Sequence, residues 1–213
     1  MIQTHKKKLI EVAMPLEAIN KNAEYEKKPG IGAHPRSLHL WWAKRPHGTA
    51  RAVIFCQLVD DPSEHPDKFP KLENQEAERK RLFDIAVQLS DWKNTFNDKL
   101  LSNALDEIKK YNPQLPLLVD PFSGGGTIPI EASRMGLQTF ASDLNPIPFL
   151  IANVMINWPY KFVNKKPLNG TALQKIQYSG LDGLAEDFKY YAHQIVREIS
   201  SEVQDFYPKI NLI

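Results

Sequence analysis
Residues 117–146 read LLVDPFSGGGTIPIEASRMGLQTFASDLNP. An apolar run over 115–120 ends in Asp120, the pattern of a fully buried parallel strand. Gly124, Gly125 and Gly126 follow, then a stretch over 127–136 that predicts a helix closed by Gly136 in a C′ position. Residues 137–143 predict a second strand ending in Asp143, and 146–157 a second helix. Strand, glycine loop, helix and strand make a βαβ unit, so the chain reads as α/β.

A loop without side chains lets a ligand approach the backbone, whose N–H groups point into the crevice at the strand's carboxyl end. Three ligand classes compete for that place. A phosphate-binding loop needs a lysine after the glycines, and none follows here. A dinucleotide fingerprint starting at Gly124 would put Pro129 where its third glycine belongs, and Asp120 would repel a pyrophosphate. A carboxylate suits a cation better. S-adenosylmethionine carries an ammonium and a sulfonium and no phosphate. Asp120 is expected to attract its methionyl amine, and Asp143, 23 residues later, to accept from both ribose hydroxyls. That spacing is close to the ~20 residues of one such turn in nucleotide-binding folds. The competing reading is structural: the glycines serve only tight packing.

The run Asp120-Pro121-Phe122-Ser123-Gly124-Gly125-Gly126-Thr127 resembles the cofactor motif of amino-group DNA methyltransferases, Asp-Pro-Phe-x-Gly-x-Gly. The segments IEVAMPLEAIN, HPRSLHLWWAKRP, TARAVIF, LVDDPSEHPDKFP and SDLNP resemble the N-terminal region of large adenine-specific DNA methyltransferases with a zinc ribbon. That region is known as domain of unknown function 1156, and the resemblance runs from about Leu9 to Pro208. It implies an S-adenosylmethionine-dependent methyltransferase acting on adenine N6 in DNA, often in restriction-modification or phage defence. It implies a cofactor site of residues 120–127 with Asp143, Leu144 and Asn145. The fold expected is an incomplete Rossmann-like methyltransferase fold with a helical N-terminal segment, a helical insertion and a long C-terminal helix.

Upstream, 15–26 and 46–59 predict helices, the second opening at Pro46 with positions 50, 53, 54 and 58 on one buried face. Residues 60–71 form a proline-punctuated loop. Two charged amphipathic helices, 73–90 and 97–111, read as an insertion or lid packed on the outside. Downstream, 158–179 reads as irregular. From Leu181 to Tyr207 a long helix carries Leu184, Phe188, Tyr191, Ile195, Ile199 and Phe206 at three- or four-residue intervals. The expected organisation is therefore 1–59, a helical and basic/aromatic segment; 60–113, a helical insertion; 114–160, the cofactor unit; and 161–213, a loop and C-terminal helix.

Between Lys27 and Val59 there is no Asp or Glu, while Lys27, Lys28, Arg36, Lys44, Arg45, Arg51 and the pair Trp41-Trp42 are present. Cations interleaved with aromatics suit a nucleic-acid surface. By the resemblance, Arg36, Trp41, Trp42, Lys44, Arg45 and Pro46 belong to a motif that closes over the methionine end of the cofactor. A third reading makes Trp41, Leu38 and Leu40 core and the cations a solvated face. His34, His39 and His47 lack paired ligand spacing, so no metal site is expected.

Transfer to an exocyclic amine needs groups that grip it and a wall for the flipped base. In the family these come from an Asp/Asn-Pro-Pro-Tyr/Phe tetrapeptide. Asn157-Trp158-Pro159-Tyr160 is one substitution away, but only 13 residues separate Asp143 from Asn157. One helix fits there, not two helices and a strand, so a helix-exit loop is the expected reading and the catalytic residues are unknown. With only two credible strands, the chain reads as an N-terminal part of the enzyme, inactive alone and completed by a catalytic C-terminal half or a second subunit. A non-catalytic docking module is the alternative, and RNA or a glutamine side chain are alternative substrates.

The 213 residues carry a net charge of +2 and 42% hydrophobic residues, ordinary for a globular protein. The charge is too small to argue for nucleic acid by itself. The lone Cys56 excludes an internal disulfide and a cysteine-built zinc site. No apolar run approaches the ~20 residues of a membrane span and no signal sequence is visible, so a cytoplasmic protein is expected.

Overall fold
The computed structural model describes residues 6–32, 34–169, 178–203 and Phe206. The chain divides into two compact units, Met1–Ala152 and Asn153–Ile213. In the first, helices α1 (Leu9–Val12), α2 (Leu16–Lys27), α3 (His47–Leu58), α4 (Leu72–Ser90) and α5 (Asp98–Tyr111) precede strand β1 (Leu118–Asp120). Helix α6 (Thr127–Arg134), strand β2 (Thr139–Ala141) and helix α7 (Pro146–Ala152) complete it.

Helix α3 is the hub, packed against α1, α2, α4, α5 and α6. Small residues let it sit close to its neighbours. A β-carbon at Gly48 would stand 2.0 Å from the Ser90 carbonyl oxygen, so any larger residue would push α3 away from α4. A single stripe undercounts such a helix. Ala50 and Ile54 are buried as the periodicity predicts, but Val53 is 38% exposed, while Arg51, Ala52, Phe55 and Cys56 are buried. Burial pushes the Cys56 thiol up to about 12, so it behaves as a packing residue.

The expectation that 73–90 and 97–111 lie outside fails. Leu82, Ile85, Ala86 and Leu89 of α4 join Leu100, Leu101, Ala104 and Ile108 of α5 in the same core cluster as Phe55 and Leu9. Most of the charges that suggested a lid occupy the opposite faces, while buried Glu107 is paired with Arg81 and Lys110, and one apolar stripe per helix is enough to build a core.

β1 and β2 pair in parallel, with Leu118, Val119 and Asp120 opposite Thr139, Phe140 and Ala141. Gly136 takes φ +86°, as a C′ glycine does. Leu118 packs against the core, whereas Val119 and Phe140 on the other face are more than half exposed. Among the described residues these are the only two strands. The observed architecture is thus mostly helical with a small parallel sheet.

In the second unit a π-helical turn (Asn153–Asn157) leads into α8 (Trp158–Lys161), and α9 spans Asp182–Val203. The expected irregular region therefore begins helically, and Asn157-Trp158-Pro159-Tyr160 is helical rather than an exit loop. The Asn157 amide donates to Asn153 Oδ1 at 3.0 Å. Residues 170–177 lie outside the described residues, as do Tyr207 and the KINLI end. Asp187 of α9 accepts from the Leu168 and Asn169 N–H groups at 2.8 and 3.0 Å, fastening that segment to the helix. The predicted stripe on α9 exists but is largely solvent-facing, with Phe188, Tyr191, Ile195 and Ile199 exposed.

Candidate functional site
The glycine loop crosses the carboxyl ends of both strands. The Ser142 N–H donates to the Asp120 carbonyl at 2.9 Å, and the Ser123 N–H donates to the Ser142 carbonyl at 3.0 Å. These bonds bring Asp143 against the loop. Its Oδ2 accepts from the Gly124 N–H and its Oδ1 from the Asn145 N–H, both at 2.9 Å. The two amides, Asn145 first and then Gly124, hold the Asp143 carboxyl below the usual carboxylate range. Asp143 is thus an acceptor-only group at neutral pH with lone pairs left over. Asp120 Oδ1 accepts from the Phe122 N–H at 3.2 Å. Asn145 accepts from the Ile147 N–H at 2.9 Å, the bond of a helix cap at the start of α7.

The remaining loop residues differ in exposure. Phe122 and Leu144 are 83% and 99% exposed, and Pro121 is exposed. Ser123, Gly126 and Thr127 are buried. The Ser123 hydroxyl is buried without a hydrogen-bond partner.

Trp41 lies on this loop. A β-carbon on Gly124 would meet the indole Nε1 at 2.8 Å, and one on Gly125 would meet the Trp41 β-carbon at 3.2 Å. Gly124 also has φ +49°. With Gly126 at φ +74°, all three glycines therefore have a structural reason to lack a side chain, the competing reading offered by the sequence. Gly124 serves both purposes, since its N–H is the one bound by Asp143.

A buried polar network fixes the helix that follows the loop. Glu131 of α6 accepts from His47 Nδ1 at 2.8 Å, from the Arg51 guanidinium at 3.1 Å and from Arg134. Burial alone would raise the Glu131 carboxyl. The His47 hydrogen bond and the Arg51 and Arg134 charges outweigh it and hold the group low. Arg51 also donates to the Leu89 carbonyl at 2.8 Å and to Thr95 Oγ1 at 3.3 Å. One turn earlier, Thr127 Oγ1 donates to the Arg45 carbonyl at 3.2 Å. Residues 41–51 thus grip the loop and its helix at three levels.

The other end of that grip is Glu26, 2% exposed. Its carboxylate accepts from the His47 and Gly48 N–H groups at 2.7 and 3.0 Å, capping α3 where Pro46 offers no side-chain cap. It also accepts from His34 Nε2 at 3.0 Å, while His34 Nδ1 accepts from the Arg36 N–H at 3.1 Å. That pair of bonds fixes a neutral His34, and burial lowers its pKa against the pull of Glu26. Arg36 donates to the Glu26 and Lys27 carbonyls at 3.2 Å and to Lys28 O, closing the end of α2.

The basic and aromatic segment therefore splits. Arg36 and Arg51 are internal fasteners. Lys44 and Pro46 are half-buried and Arg45 is exposed. Trp41 is half-buried, and Trp42 is 85% exposed. Leu38 and Leu40 are exposed, against the reading that placed them in the core. Glu26 and Glu131 were not singled out by sequence, and His47 was weighed only as a metal ligand. The one trace was an acid at 131 inside the apolar run of TIPIEAS. Among the described residues no group of three or more His, Cys, Asp or Glu could hold a metal ion.

Residues 13–85 match the family described as Protein of unknown function (DUF1156). Residues 91–182 match the family described as RMKL-like, methyltransferase domain, which contains the glycine loop. A methyltransferase-like domain is present. Comparisons with curated proteins and with solved structures found no match. The contacts of Trp41, His47 and Arg51 with Gly124, Gly125 and Glu131 thus join the two matched regions. Among the described residues, no helix is long and apolar enough to cross a membrane.

Proposed function
We propose that this chain is the S-adenosylmethionine-binding part of an adenine-N6 DNA methyltransferase with a Rossmann-like cofactor unit. The observation that carries this reading is the Asp143 carboxylate held against the Gly124 N–H at the mouth of two parallel strands, with Asp120 ending the neighbouring strand. An ionised acceptor there suits a vicinal diol, and a second carboxylate suits an ammonium group. The residues fit such a ligand in two further ways. Ser123 offers a hydroxyl with no protein partner, and the loop backbone is bare apart from one indole.

When bound, S-adenosylmethionine supplies a methyl group on a sulfonium. The chain's own part is recognition. Asp143 would take the ribose hydroxyls, Asp120 the amino group, and Ser123 a polar atom of the ligand. Phe122 and Leu144 would offer apolar contact for the base. The gripping of an adenine amine falls to a catalytic portion or second subunit, because Asn157 and Tyr160 lie in a helical segment. The exposed Val119 and Phe140 face supports completion by further structure, since an apolar sheet face is rarely left in water.

A second reading has support of its own. The exposed stripe of α9 adjoins an apolar groove of about 550 Å³ lined by Trp158, Phe162, Leu184 and Phe188, as a partner-docking module would have. Calorimetry with S-adenosylhomocysteine separates the two. Binding heat that Asp143→Ala abolishes supports the cofactor reading. No heat for the unmutated chain supports the docking module.

A further inference from the structure
We infer that Trp42, with the cations beside it, is a stacking platform for an unpaired stretch of nucleic acid. The inference takes its polymer class from the methyltransferase reading, but its support is separate. Trp42 is 85% exposed, although an indole is among the side chains with most to gain from burial. Among the described residues its ring partner is Trp41, whose centroid is 4.9 Å away at 33°. Trp41 in turn is held on the glycine loop and is 6.5 Å from His39. The platform therefore has a rigid back and an open front.

Lys44 and Arg45 follow it within three residues. Lys27, Lys44 and Arg45 line a small cleft with Pro46, His34 and Glu26. The one acid there, Glu26, is buried and saturated by the His47 and Gly48 amides and by His34. Burial, and then the Arg36 charge, hold the Lys44 ammonium below its usual range against the pull of Glu26. Lys28 and Lys93 both stand over the half-exposed Tyr25 ring, at 5.8 and 5.5 Å, at the adjoining end of α2. Asp91, the cap of the turn that carries Lys93, accepts from the Lys93 N–H at 2.9 Å.

Anion-seeking cations alone would fit any polyanion. The exposed indole discriminates. A base has a π-face to lay on it, which a phospholipid headgroup or a sulfated sugar lacks. Stacking also requires a base free of its duplex neighbours, so a single strand is favoured over paired DNA. A base-modifying enzyme needs such a hold on an opened strand.

The test uses the full chain and a fluorescein-labelled oligothymidylate, read by anisotropy across a salt series. Trp42→Ala should weaken binding roughly 5- to 150-fold, the range of one lost base stack, and Trp42→Phe should restore most of it. Lys44→Gln with Arg45→Gln should lower the salt slope by about 1.4, two single-strand phosphate contacts. Heparin binding should be insensitive to Trp42→Ala. Equal binding by Trp42→Ala, an equal loss towards heparin, or no binding by the unmutated chain overturns the inference. The S-adenosylhomocysteine heat of the same proteins is read separately. An absent heat with Trp42-dependent strand binding removes the cofactor reading and leaves the platform standing.

Discussion

The indole nitrogen of Trp41 lies 2.8 Å from the place a β-carbon would take on Gly124. An aromatic side chain from the first matched region thus fills the space that defines the loop of the second. Gly124→Ala should destabilise the first unit by about 1–3 kcal/mol, because alanine meets both the φ of +49° and the indole. Trp41→Ala should remove only the second cost. A denaturant double-mutant cycle should return a coupling of about 0.5–3 kcal/mol between the two sites, and strict additivity would refute the contact.

Glu131 carries three cationic or donor partners in a site that is 1% exposed. Glu131→Gln removes the counter-charge of the buried Arg51. Loss of one member of such a pair costs about 3–5 kcal/mol, so the urea midpoint should fall well below that of the parent chain. A change under about 1 kcal/mol would mean that Arg51 finds compensation elsewhere.

His34 gives the first unit a pH dependence. Its folded pKa lies below the unfolded value near 6.5, so the unfolded chain binds the proton more readily. Stability from this group is fully present above the unfolded pKa. It is lost as pH falls through 6.5 towards the folded value. Urea midpoints between about pH 7.5 and 5.5 should therefore decline, and His34→Gln should flatten that decline. A slope unchanged in the variant would assign the effect to another group.

Val119 and Phe140 are paired across the sheet and more than half exposed. Val119→Lys and Phe140→Lys should leave the melting of the isolated chain within about 0.5 kcal/mol of the parent, as surface substitutions do. They should also reduce self-association measured by sedimentation, since charge on an exposed apolar face discourages association through it. A large loss of stability would show that the face is covered in solution.

Local signals in the sequence carried the βαβ unit well. The strand ends at Asp120, and Gly136 and the start of α6 all fall where turn and cap chemistry put them. The helices α2, α3, α4 and α5 were also legible to within a residue or two, because α2 and α3 open on Pro15 and Pro46, α5 on the Asn97 cap, and α4 after the proline-punctuated loop. Their packing was not. The stripe Leu82, Ile85, Ala86 and Leu89 marks a buried face, but no local signal says that it meets Phe55 rather than closing over a ligand. The network of Glu26, His47, Arg51 and Glu131 was invisible for the same reason. Its hydrogen-bonded pairs stand 21 to 84 positions apart, and a single sequence records no pairing across such distances. The position of Trp41 on the loop was open to three readings, and only coordinates could relate residue 41 to residue 124.

Glu26 ends one helix and begins another, so the excursion from Lys28 to Pro46 departs from and returns to a single carboxylate. Such an excursion is a cassette. Its outer portion, with Leu38, Leu40 and Trp42 facing water, can be exchanged or labelled while the hub helix keeps its anchor. A dye placed at Leu38 or Leu40, both exposed, would make the segment a reporter of what alights beside it.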